Sequence, residues 1–167
     1  LVKDEQKLLP LNCKETYYYV PLEEAPFETF TNQLNLNTTV IVKKASEIAT
    51  IPANSKIIVG LHKDNSTAYK PYKISENSKK ILAELSKNQK IILNVFGSAY
   101  ALKDLDITKI STVVVAYENN DDSMKATAKS LNGKSPISGR LPVLVNNQLK
   151  PGAGIDLNLS STHQLNK

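Results

Sequence analysis

Cysteine occurs once in the 167 residues, at Cys13, so no internal disulfide can form and no Cys-x-x-Cys pair exists. A lone cysteine is expected to be a small core residue. Histidine occurs twice, at His62 and His163. With so few, no Ser/His/Asp or Cys/His constellation can be assembled, and His163, in a polar stretch, is expected to be solvated. Arginine occurs once, at Arg140, and although the net charge is +5 the lysines are spread along the chain, paired only at Lys43-Lys44 and Lys79-Lys80. Nucleic-acid binders concentrate basic residues on one face, so no nucleic-acid partner is expected. No apolar run approaches the roughly 20 residues needed to cross a membrane, and no charged-then-apolar leader opens the chain. The chain starts without methionine and is expected to be a domain excised from a larger parent. Phosphate-cradling loops are missing as well. Gly97-Ser98 carries a single glycine. The Gly133-Lys-Ser135 triplet lacks the upstream glycine of a P-loop and follows a helix instead of preceding one. No cofactor is expected.

The residues present describe an alternation of strands and helices. Ile91–Phe96 is apolar but for Asn94, and Thr112–Ala116 is apolar but for its first residue. Neither run alternates, as expected of strands covered on both faces in a parallel sheet. Earlier strands are read at Thr16–Val20, stopped by Pro21, at Thr38–Val42 and at Lys56–Leu61, all rich in β-formers. Helices are read at Glu23–Asn35, with Pro26 in its first turn and Phe27, Phe30 and Leu34 facing the sheet, and after Ser75, with Ile74, Ile81, Leu82 and Leu85 as the buried stripe. A third helix is read after a cap at Asp121 or Asp122, with Met124, Ala128 and Leu131 inward and Gly133 at its end. Ala45–Thr50 is read as a single helical turn and Ala99–Leu105 as a short helical piece. Leu1–Leu11 reads as a surface entry segment, His62–Lys73 as a long exposed loop and Leu141–Val145 as a last strand. Asn146–Lys167, polar and Asn/Gln-rich, reads as an extended tail or linker after a domain of residues 1–145. The sum is a three-layer α/β/α sandwich with a mostly parallel, flavodoxin-like sheet.

Three segments carry a family resemblance. Phe96-Gly-Ser-Ala-Tyr-Ala-Leu-Lys103, Val113-Val-Val-Ala-Tyr-Glu118 and Leu131-Asn-Gly-Lys-Ser-Pro-Ile-Ser-Gly-Arg-Leu-Pro-Val143 together resemble the C-terminal α/β domain of family 3 glycoside hydrolases. In that family a strand ends in a Gly-x-Pro-Tyr-x-Leu turn and a second strand ends in a Tyr-Glu-type pair. A helix then leads into a Gly-x-x-Pro-x-Gly-Lys/Arg-Leu-Pro segment. The opening Leu1-Val-Lys-Asp-Glu-Gln-Lys-Leu-Leu-Pro-Leu11 resembles the start of the same domain. The family's proline in the first turn is replaced here by Ala99. The resemblance implies a parent enzyme that hydrolyses β-linked sugars with retention, its nucleophilic aspartate carried on a separate N-terminal (β/α)8 barrel. The glucosidase branch commonly places glutamates in the loop after the third strand. The matching residues Gly60–Tyr69 contain none, which is closer to the β-N-acetylhexosaminidase branch and implies no catalytic residue on this chain. The resemblance also implies a parent exported from the cytoplasm.

In open α/β sheets, ligands meet the loops beyond the carboxyl ends of the strands. Three such loops stand out: His62–Lys73, Gly97–Tyr100 and Tyr117–Asp122. His62 and Asp64 are the candidate polar groups at a shared carbohydrate cleft, and Tyr69 and Tyr72 the candidate aromatic walls. A solvated polar loop explains the first pair better than a role at the sugar, because neither residue has an evident partner to tune its pKa. Glu118, Asp121 and Asp122 form an acidic cluster better explained by helix capping than by a metal. A free-standing flavodoxin-like binding or regulatory module is the other reading. It is disfavoured as a response regulator by the late acidic pair Glu23-Glu24, and as a flavoprotein by the missing phosphate loop after the first strand.

Overall fold

The structure is a computed structural model, and it describes residues 1–23, 25–63, 73–88 and 90–159. Six strands form one sheet: β1 (Lys3–Asp4), β2 (Thr16–Leu22), β3 (Thr39–Val42), β4 (Lys56–His62), β5 (Lys90–Phe96) and β6 (Thr112–Val115). Their order is β1-β6-β5-β4-β2-β3, with β1 antiparallel to β6 and the remaining neighbours parallel. The α-helices are α1 (Glu28–Leu34), α2 (Glu76–Leu85) and α3 (Asp121–Leu131), and 3₁₀ turns occupy Ala45–Thr50 and Ala99–Asp104.

Alternation along the central strands sends their side chains into two cores. Val20, Val59, Leu61, Leu93, Val95 and Val113 pack with Ile81, Leu82 and Leu85 of α2. On the other face Tyr19, Ile58, Ile92, Phe96 and Val114 pack with Phe30 and Leu34 of α1 and with Met124, Ala128 and Leu131 of α3. This is the expected α/β/α sandwich, with the helical stripes facing the sheet as their spacing requires. The Ser75 hydroxyl caps α2 by accepting from the Ser78 amide at 3.1 Å. Gly133 follows α3 with φ 68°, the left-handed geometry that favours glycine.

Several expectations are corrected. Pro21 does not stop β2, which runs on to Leu22. The Lys43 amide donates to the Tyr19 carbonyl, so by alternation the Pro21 nitrogen faces the same side, where β3 ends at Val42 and no ladder donor is required. Helix α1 starts at Glu28, with Pro26 outside it. The α3 cap is Asn120, whose side-chain oxygen accepts from the Ser123 amide at 2.8 Å, one residue before the aspartates. Leu1–Leu11 is not a surface segment. Leu1, Leu8, Leu9 and Leu11 are buried, and Lys3-Asp4 closes the β6 edge. Leu141–Val145 is not a strand. Pro142 breaks the donor pattern, and the Leu141 and Val145 amides bond to the Ala153 and Leu149 carbonyls in a local fold-back. Cys13 is exposed. Between Asn146 and Leu157 the chain lies against the domain. Leu149 is buried, Leu157 bridges Ile137, and Asp156 pairs with Arg140 at 2.7 Å.

Candidate functional site

The chain moves from β2 outward to β3, then returns to place β4 on the other side of β2. This reversal opens a crevice at the carboxyl ends of β2 and β4, the usual ligand position in doubly wound sheets. A cleft of about 850 Å³ lies there, lined by Pro21, Leu22, Glu23 and Pro26 on one side and by His62, Lys63, Ser75, Asn77 and Ser78 on the other.

Glu23 and Lys63 are the charged groups of this cleft among the described residues. Glu23 adopts φ 64° and turns its carboxylate back onto α2. One oxygen accepts from the Ser75 amide at 2.9 Å and the other lies 3.6 Å from Lys63 Nζ. Lys63 Nζ also donates to the Lys73 carbonyl at 2.9 Å. Burial works to raise the Glu23 pKa, but the Ser75 and Ser78 hydrogen bonds and the Lys63 charge outweigh it and hold the group below its ordinary value. A general acid needs the opposite shift. Glu23 is therefore a fixed, ionised fixture at the start of α2.

His62 is not a loop residue. It is the last residue of β4 and is fully buried. Its ring stacks on Phe96 at 4.6 Å between centroids and 8° between planes, with Phe30 edge-on. Nδ1 lies 2.7 Å from Asn119 Oδ1, and Nε2 contacts the Tyr19 hydroxyl. An amide oxygen only accepts, so Nδ1 carries the proton, Nε2 is the acceptor, and Tyr19 donates. Burial pushes the Tyr19 hydroxyl well above its ordinary pKa, which keeps it a donor. Burial likewise lowers His62 to about 4, against the smaller opposing effects of Asn119 and Glu28. This neutral imidazole bridges β2 to the loop that follows β6. Gly60 makes room for it, since a Cβ there would lie 1.8 Å from the Tyr19 hydroxyl oxygen and 2.5 Å from His62 Nε2.

Asp64, Tyr69 and Tyr72 lie outside the described residues. Two members of the acidic cluster after β6 are spent on local structure. Asp121 accepts from the Thr29 hydroxyl at 2.7 Å, linking α3 to α1, and Glu118 accepts from the Asn120 side-chain Nδ2 at 2.6 Å. Among the described residues no group of three His, Cys, Asp or Glu side chains is placed to hold a metal ion. At Gly97-Ser98 the serine hydroxyl accepts from the Tyr100 amide at 3.3 Å, opening the Ala99–Asp104 turn. Of the three tyrosines in β2, Tyr17 and Tyr19 are buried and serve packing. The Tyr19–His62–Asn119 chain was not foreseen from sequence. Its signal was Gly60, a glycine inside an otherwise bulky strand, which marks close approach of other atoms.

No protein-family model and no curated protein matches this sequence. Solved structures do share its fold, glycoside hydrolase family 3 enzymes among them. One is a β-N-acetylglucosaminidase of that family from Paenibacillus sp. str. FPU-7, with TM-score 0.62 and 16% identity over 96% of this chain and 30% of the enzyme. A second is a β-glucosidase from Listeria innocua in complex with isofagomine, with TM-score 0.65 and 14% identity over 84% of this chain and 24% of that one. A third is the exo-β-xylosidase XlnD in complex with a xylobiose aziridine activity-based probe, with TM-score 0.62 and 16% identity over 86% and 23%. The chain thus spans less than a third of each enzyme's length. Its fold is that of one part of these larger proteins, in agreement with the motif resemblance.

Proposed function

We propose that this chain is the non-catalytic C-terminal α/β domain of a retaining family 3 glycoside hydrolase, an O-glycosyl hydrolase of the β-N-acetylhexosaminidase type exported from the cytoplasm. In this reading it packs on a separate (β/α)8 barrel of the same protein, which supplies the chemistry. The carboxyl end of its sheet walls the cleft that receives the carbohydrate. The observation that carries the reading is the fold match, 96% of this chain against 30% of a family 3 β-N-acetylglucosaminidase.

The cleft supports the non-catalytic role. Retaining hydrolysis uses two carboxyl groups about 5 Å apart, one held protonated. Glu23, the carboxylate lining the cleft among the described residues, is ionised and committed to Ser75 and Lys63. The absence of glutamate from Gly60–Tyr69, at the end of β4 and after it, favours the hexosaminidase branch.

The test is hydrolysis of aryl β-glycosides by this chain alone and by its parent. The chain alone is expected to be inert. The parent is expected to release aryl β-N-acetylglucosaminides faster than aryl β-glucosides. Hydrolysis by the isolated chain, abolished by Asp64→Asn, overturns the non-catalytic role. A parent gene without a barrel upstream returns the free-standing binding module to first place.

A further inference from the structure

The two edges of the sheet are finished differently. At one edge β1 covers β6. At the other, β3 is the outermost strand and no strand among the described residues covers it; exposed apolar groups border it, with Ile41 41% exposed, Val42 40% and Leu36 70%. Such an edge is a template for another strand.

The alternation of β3 fixes which amides face out. Lys43 donates inward to the Tyr19 carbonyl, so Val40, Val42 and Lys44 point away from the sheet. The two flanking amides are each taken by a side chain from a neighbouring element. Asn35 Oδ1, at the end of α1, accepts from the Val40 amide at 2.8 Å. Glu47, in the following 3₁₀ turn, accepts from the Lys44 amide at 2.9 Å. Between them the Val42 amide has no hydrogen-bond partner among the described residues. One free donor between two occupied ones cannot begin a ladder, because an added strand must pair at every second residue.

We propose that Asn35 and Glu47 close the β3 edge against a second copy of this chain, which would otherwise pair with it antiparallel about Val42. Each side chain fills the position that a carbonyl of the incoming strand needs. The lysines at 43 and 44 add charge repulsion between copies. The closure does not depend on the glycosidase reading.

The test is sedimentation of the Asn35→Ala/Glu47→Ala variant over a concentration series. The variant is expected to shift from monomer to dimer or larger species while the unaltered chain stays monomeric. Asn35→Asp and Glu47→Gln keep an acceptor oxygen and are expected to remain monomeric. Adding Val42→Pro to the double alanine variant removes the central donor and is expected to restore the monomer. A folded double variant that stays monomeric overturns the proposal, as does association of the unaltered chain or association that survives Val42→Pro. Should the variant fail to fold, amide exchange on the unaltered chain decides. The Val40 and Lys44 amides are expected to exchange more slowly than that of Val42, and equal rates overturn the proposal.

Discussion

Gly60→Ala probes the buried Tyr19–His62 contact beside the cleft with a single methyl group. The added Cβ would lie 1.8 Å from the Tyr19 hydroxyl oxygen, 2.7 Å from its Cζ and 2.5 Å from His62 Nε2. Both side chains are fully buried and packed against Phe30 and Phe96, so neither can swing into solvent. Overpacking of this kind costs about 1–3 kcal/mol. Parting the Tyr19 hydroxyl from His62 leaves buried polar atoms unpaired, at about 1–3 kcal/mol more. The expected loss is therefore about 2–6 kcal/mol, a large fraction of the roughly 5–15 kcal/mol that stabilises a domain. For a chain of this size that lowers the melting temperature by roughly 10 °C. Thermal and urea unfolding followed by circular dichroism measure it. The companion variant is Tyr19→Phe, which removes the atom at 1.8 Å but leaves the ring carbon. Gly60→Ala/Tyr19→Phe should therefore lose less than the sum of the two single changes, by about 1 kcal/mol or more. A Gly60→Ala melting temperature within about 3 °C of the unaltered chain would refute the reasoning, and so would strict additivity in the double variant.

Other outcomes follow from the same packing. His62 titrates near 4 when folded and near its ordinary 6.5 when unfolded. The unfolded chain then binds more protons between those values, so stability falls as pH drops from about 6.5 to 4, by about 3 kcal/mol in all. Urea midpoints across that window should show the slope, and His62→Gln should flatten it. Asn94 is fully buried in β5 and its Oδ1 has no hydrogen-bond partner among the described residues. Asn94→Val should therefore raise stability by about 1 kcal/mol, read as a higher denaturant midpoint with an unchanged slope. Asn120→Ala removes the α3 cap and should cost about 1 kcal/mol, whereas Asp122→Ala should change the urea midpoint little.

What the sequence determined by itself was the periodic part of the molecule. The unbroken apolar runs at Ile91–Phe96 and Thr112–Ala116 required two covered faces. The spacing of Ile81, Leu82 and Leu85, and of Met124, Ala128 and Leu131, set which side of each helix is buried. Ser75 and Gly133 marked helix ends because capping chemistry is local. The segments that depend on distant partners were not legible in this way. Leu1–Leu11 reads as a surface piece until β6 offers it an edge and Leu131 a carbonyl. Pro21 reads as a strand stop until the end of β3 leaves its nitrogen without an acceptor to serve. His62 reads as a solvated loop residue until Tyr19 and Asn119, 43 and 57 positions away, meet its two ring nitrogens. Local propensity and periodicity act within a few residues. The strand order that joins β2, β4 and the loop after β6 is a long-range choice, and tertiary packing alone made it.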